Sequence, residues 1–124
     1  MRIELKGETP SKKNSRINIR SGRSFPNQRY VKWHDMVVSE LHFLIMEKQI
    51  EMIPEDIQIS LTVTFVHGDQ KRRDSDNQLS SILDTLVDAN ILPDDNWKII
   101  PEKHIYDKYE KNNPHCVIEM KELV

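Results

Sequence analysis

The chain has three glycines, at positions 7, 22 and 68, none close to another. A phosphate-cradling loop or a dinucleotide fingerprint needs glycines clustered within a few residues, so both are excluded. It has one cysteine, Cys116, which excludes an internal disulfide and a cysteine-rich zinc site and fits a reduced, cytoplasmic setting. The longest apolar run is Phe43-Leu44-Ile45-Met46, far short of the roughly 20 residues that cross a membrane. Charges at Arg2, Glu4 and Lys6 interrupt the opening residues, so no secretory leader is expected there. With 124 residues, 31% of them charged and 37% hydrophobic, the expectation is one ordered domain spanning 1–124.

A net charge of −2 conceals a polar asymmetry. Between Ser11 and His34 lie Lys12, Lys13, Arg16, Arg20, Arg23, Arg29 and Lys32 and no acid, leaving 11 basic against 20 acidic residues elsewhere. Such a stretch fits a solvated loop, and it equally fits a surface for phosphate backbones, whose displaced counterions supply most non-specific affinity. Ser11, Asn14, Ser15 and Asn18 add neutral phosphate donors between the charges.

Patterning predicts the elements. Met1, Ile3 and Leu5 alternate with charged residues, as in a short strand. Residues 7–26 hold Gly7, Pro10, Gly22 and Pro26 without periodicity and read as a long loop, which in a compact domain is usually functional or disordered. From about Asn27 to Lys48 an apolar stripe through Trp33, Val37, Leu41 and Leu44 predicts a helix. Ile57, Ile59, Leu61, Val63 and Phe65 alternate with polar residues and give the clearest strand. A second helix is predicted from about Asp76 to Ala89 on Leu79, Ile82, Leu83 and Leu86. Residues 97–109 read as a strand, with Pro101 marking an edge or bulge, and His115–Met120 as the last strand. The fold class is therefore α/β, with a mixed sheet and two main helices in the order β-α-β-α-β-β.

Arg72-Arg73-Asp74-Ser75-Asp76-Asn77 lies between the strong strand and the second helix, and Asp94-Asp95 follows that helix. In extended backbone Asp74 and Asp76 point the same way. Asp76, Ser80, Asp84 and Asp88 recur every four residues as one polar stripe. Aspartates brought close repel unless a cation sits among them, and Mg²⁺ prefers such hard oxygens together with water and substrate phosphate. The same residues also fit plainer roles, Asp76 as a helix N-cap and Asp94-Asp95 as a turn. The five histidines show no metal-ligand spacing with Cys116, whose alternating strand suggests a buried structural thiol. Trp33 and Trp97 read as packing residues; Phe25 and Tyr30 read as packing residues or as platforms for bases.

The chain resembles the RusA-type Holliday junction resolvases, small endodeoxyribonucleases common in phages and prophages. The resemblance rests on Gly7-x-x-Pro10-x-Lys12-Lys13-Asn14-Ser15 followed by Pro26, Tyr30 and Trp33; on Arg72-Arg73-Asp74-x-Asp76-Asn77 with Asp84-x-Leu86; and on Asp94-Asp95. It implies a homodimer that binds four-way DNA junctions and nicks two opposed strands with Mg²⁺ in DNA recombination and repair. It implies Asp74, Asp76 and Asp95 as the catalytic, metal-binding aspartates, with Asn77, Asp84 and Asp94 as accessory positions. Lys12, Lys13, Asn14, Arg16, Arg20, Arg23, Arg72 and Arg73 are the expected DNA contacts. The family usually carries a lysine four residues after the second aspartate; this chain has Ser80 there. That departure leaves open an alternative, a weak or inactive DNA-binding or regulatory relative.

Overall fold

The computed structural model describes residues 1–12, 16–18 and 24–124, and of 16–18 and 24–26 the backbone alone. The chain runs β1 (Arg2–Lys6), β2 (Arg16–Asn18), β3 (Ser24–Pro26), α1 (Gln28–Met46), β4 (Ile59–His67), α2 (Ser75–Asp88), β5 (Glu102–Tyr109) and β6 (His115–Glu122). The main elements follow the expected β-α-β-α-β-β order. Four strands form one mixed sheet in the order β1-β6-β4-β5, with β5 parallel to β4 and β6 antiparallel to both β4 and β1.

The two helices cover one face of this sheet. Ile3 and Leu5 of β1, Leu61, Val63 and Phe65 of β4, and Cys116, Ile118 and Met120 of β6 are buried beneath Val37 and Leu41 of α1 and Ile82 and Leu86 of α2. Each such large apolar side chain contributes about 1.5–3 kcal/mol on leaving water. The period-2 burial of β4 and the helical stripe of α2 are the patterns the sequence displays.

Three expectations change. The stretch 7–26 is not loop throughout: β2 and β3 pair antiparallel, Ile17 opposite Phe25. Strands of three residues are too short to leave an alternation in the sequence. The strand expected over 97–109 begins only at Glu102, because residues 94–99 turn and Ile99 and Ile100 both enter the core. Pro101 has no N–H for a ladder and stands just before this edge strand. Trp97 does not pack; it is 70% exposed, carried on that turn.

The link from β5 to β6 crosses the end of β4, and two of the glycines sit at the crossing. Gly7 takes a positive φ of 90° and donates its N–H to the Pro114 carbonyl at 2.8 Å. A Cβ on Gly68 would lie 2.7 Å from Pro114 Cδ, so only glycine admits the crossing chain. No helix among the described residues is long and apolar enough to cross a membrane.

Candidate active site

Asp74 caps α2. Its backbone is extended, and its carboxylate accepts the Asp76 N–H at 3.1 Å and the Asn77 side-chain amide at 3.2 Å. The cap therefore falls on Asp74, not on Asp76, which lies in the first turn. Both aspartates are exposed, and neither forms an ion pair among the described residues. The helix N-terminus makes two neighbouring carboxylates tolerable there.

A cleft of about 440 Å³ opens beside Asp74, lined by residues 8–11, by Arg29, and by Asp69, Lys71, Arg72, Arg73 and Gln78. The side chains of Arg29, Lys71 and Arg72 form no ion pair within 4 Å among the described residues, though Lys71 lies near enough to Asp69 to lower its carboxyl, so a cationic rim faces outward next to exposed carboxylates. Arg73, expected as a DNA contact, is engaged inside the protein. Its guanidinium donates to Asp69 at 2.7 and 3.1 Å and lies 3.3 Å from Glu8. Hydrogen bonding from Arg73 holds Asp69 down at about 2.

The structure does not bring every expected residue to this place. Asp94, Asp95 and Asn96 form a turn of their own, in which Asp94 accepts the Asp95 N–H at 2.7 Å and the Asn96 amide at 3.1 Å. Those two donors hold the Asp94 carboxyl below its ordinary value. Among the described residues, Asp74, Asp76 and Asp95 do not close into a three-ligand group. The polar stripe of α2 divides. Ser80 is exposed and returns its hydroxyl to the Asp76 carbonyl at 3.3 Å. Asp84 and Asp88 face α1 instead. Tyr30, buried against Trp33, donates its hydroxyl to Asp84, which also meets Lys12 Nζ at 3.2 Å. Burial and the bond to Asp84 push the Tyr30 phenol up. Tyr30 is thus a packing residue and not a base platform. The side chains of Lys13, Asn14, Arg16, Arg20, Arg23 and Phe25 lie outside the described residues. Cys116 is buried, and burial pushes its thiol up to about 11, as befits a structural cysteine.

Histidines carry more than the sequence disclosed. His34 Nε2 is 2.7 Å from Asp88 and 3.9 Å from Asp84, and its Nδ1 is 3.1 Å from Asp35. His34, Asp84 and Asp88 are the one set of three ligand groups within 4.8 Å among the described residues, though Tyr30 and Lys12 already occupy Asp84. His67 is held between Glu8, 3.0 Å from Nδ1, and Asp107, 2.8 Å from Nε2. Glu8 also accepts from Gln78 at 2.9 Å, and Ser75 donates to Asp107 at 3.0 Å. These partners stand far apart in the chain and in no motif, which is why patterning missed them.

The root of the basic segment is sewn to α2. Gln78 donates to the Thr9 carbonyl at 2.7 Å, Ser81 to the Pro10 carbonyl at 2.7 Å, and the Lys12 N–H to Ser81 Oγ at 2.9 Å.

Burial pulls His34 and His67 down, but hydrogen bonds to Asp35 and Asp88, and to Asp107 and Glu8, outweigh it and raise both. A histidine raised in the folded state stabilises fully below its unfolded value of 6.5 and loses that contribution as pH climbs through the raised one. The urea midpoint is therefore expected to fall as pH rises above about 6.5. A His34→Gln, His67→Gln double variant should show a flatter profile, and an equally steep one would refute this source of pH dependence.

Residues 7–121 match the family described as endodeoxyribonuclease RusA. The crossover junction endodeoxyribonuclease RusA of Aquifex aeolicus (strain VF5) is 28% identical over 110 residues, covering 89% of this chain and 82% of that protein. The paired aspartates at the α2 cap and the cationic cleft beside them thus stand in a chain matched almost from end to end, and the chain belongs to the RusA family of Holliday-junction-resolving endodeoxyribonucleases.

Proposed function

We propose that this chain resolves four-way DNA junctions as a Mg²⁺-dependent homodimer that nicks two opposed strands, working in the cytoplasm. The observation that supports this most is the juxtaposition of Asp74 and Asp76 at the α2 cap with the cations Arg29, Lys71 and Arg72 around the adjoining cleft. The donor set is hard oxygen, which fits Mg²⁺. Asp74 and Asp76 at the α2 cap are the proposed holders; Asp95, the third expected one, stands on its own turn outside this group. The cation, when bound, supplies activation of water and neutralisation of phosphate charge. The protein's own part is to place a phosphate: the cationic rim draws in the backbone, and the capped carboxylates are fixed before it arrives. Two equivalent sites related by a dimer axis suit the two equivalent strands of a junction.

The direct test is cleavage of a synthetic four-way junction in Mg²⁺ and in EDTA, against an unbranched duplex of the same sequence. Paired nicks only with Mg²⁺ and only on the junction are expected. Sedimentation at micromolar concentration should show a dimer; a monomer that still makes paired nicks would refute the arrangement.

The rim makes its own prediction. Replacing Lys71 and Arg72 with Ala removes about two phosphate contacts and should lower the slope of log affinity against log salt by about 1.8. An unchanged slope would leave the rim as solvated surface.

Ser80 favours the second reading, a binding protein with weakened chemistry. It offers the site one exposed hydroxyl, already turned to the Asp76 carbonyl, and no charge. If charge at this position limits the rate, Ser80→Lys should speed single-turnover cleavage about tenfold, or about 1.4 kcal/mol, with little change in junction affinity. No gain would mean that charge at position 80 does not limit the reaction.

A further inference from the structure

We propose that His67 is a positioning residue for Asp74, acting through a ring of side-chain contacts closed by the backbone of residues 73–75; the inference rests on the reading of Asp74 as a metal-holding carboxylate. Both chain neighbours of Asp74 are anchored. Arg73, before it, reaches Glu8 at 3.3 Å, and Ser75, after it, donates to Asp107 at 3.0 Å. His67 joins these two anchors, with Nδ1 3.0 Å from Glu8 and Nε2 2.8 Å from Asp107. The ring thus runs Glu8, His67, Asp107, Ser75, Asp74, Arg73 and back to Glu8. It ties together the segment after β1, the end of β4, strand β5 and the cap of α2.

Imidazole alone among neutral-pH side chains offers two opposed donors on a rigid ring, and both are donors only in the cation. Carboxylates on both sides are what that cation fits. Arg73 lies 3.3 Å from the same Glu8, and Phe65 stacks on the imidazole with centroids 6.5 Å apart, which fixes its plane. His67 and Glu8 are largely enclosed, at 15% and 12% side-chain exposure, whereas Asp74 is open to solvent. The rigid part of the ring therefore lies inside and the functional carboxylate outside. A carboxylate that must meet a cation and a phosphate needs its backbone fixed to within a fraction of an ångström, and supporting residues of this kind typically carry 10–100-fold in activity or metal affinity.

The test uses full-length His67→Gln, Ser75→Ala, Ser75→Thr and Asp74→Asn on a four-way junction, with single-turnover cleavage in Mg²⁺ and junction affinity in EDTA measured on each. A glutamine at 67 turns its oxygen to one of the two carboxylates and opens the ring. Ser75→Ala opens it at a single half-exposed hydroxyl with no call on the core. Both should cut about tenfold more slowly, with junction affinity held within about twofold, and Ser75→Thr should recover most of the rate. Should Asp74→Asn be dead while His67→Gln and Ser75→Ala cut like the wild type, the ring is structural only and the proposal fails. It fails too if affinity falls in step with rate, or if Ser75→Thr is as slow as Ser75→Ala. Wild-type cutting by Asp74→Asn would instead overturn the site itself, and the positioning role with it.

Discussion

Asp74→Asn is expected to reduce junction cleavage at least about 100-fold, a loss of about 2.7 kcal/mol of transition-state stabilisation. Asparagine is as good an N-cap as aspartate, so the substitution keeps α2 capped and removes only charge and metal-holding capacity. Folding, checked by urea denaturation, should stay close to the wild type. Junction affinity in EDTA should be unchanged or tighter, because a carboxylate beside the phosphate path has been neutralised. Cleavage at the wild-type rate would remove Asp74 from the chemistry and with it the assignment of the α2 cap as the site.

Phe65→Ala is the substitution expected to cost most stability. Phe65 is 1% exposed on the central strand β4, flanked by Asp107 of β5 in register on one side and Cys116 of β6 on the other. Its removal leaves a cavity that neighbouring strands cannot close, at a cost of about 3–5 kcal/mol. Against a total of roughly 5–15 kcal/mol this is a large share. The urea midpoint should drop by about 2–3 M, taking the slope as about 1.5 kcal/mol per M. Phe65→Leu, which keeps most of the volume, should lose far less. A loss below about 1 kcal/mol would mean that the core repacks around the gap. Because the ring of Phe65 stacks on His67, residual folded protein should also cleave more slowly.

Both variants sit on features the sequence displayed openly. The alternation through Ile59, Leu61, Val63 and Phe65 is long enough to announce a strand, and Leu79, Ile82, Leu83 and Leu86 a helix, since burial of one face writes its period into the chain. Asp74 and Asp76 were legible for a related reason: their spacing is local. What was not legible is what folding brings from afar. Glu8, His67 and Asp107 belong to three different elements, and nothing in their separate surroundings marks them as partners. His34 looks unremarkable in the sequence because, beside the adjacent Asp35, its carboxylates Asp84 and Asp88 are on the other helix. Arg73 reads as one more cation beside Arg72, yet Asp69 and Glu8 engage Arg73, while Arg72 forms no ion pair among the described residues. Trp97 shows the converse: residue type alone predicts a packed aromatic, and the turn around Asp94 carries it outside.

The strand order carries a consequence for when this endonuclease comes into being. β6 lies between β1 and β4, and the amino group of Met1 reaches the Met120 carbonyl across 119 positions of sequence. Until β6 is laid down, β1 has no neighbour in the sheet, and the segment carrying Glu8 and Thr9 has no fixed root beside α2. Contacts of such long sequence separation form late, after the closure entropy of the whole chain has been met. A nascent chain therefore holds Asp74, Asp76 and its basic segment well before they belong to one body. DNA-cutting capacity switches on as a late, single event of folding rather than growing with the chain.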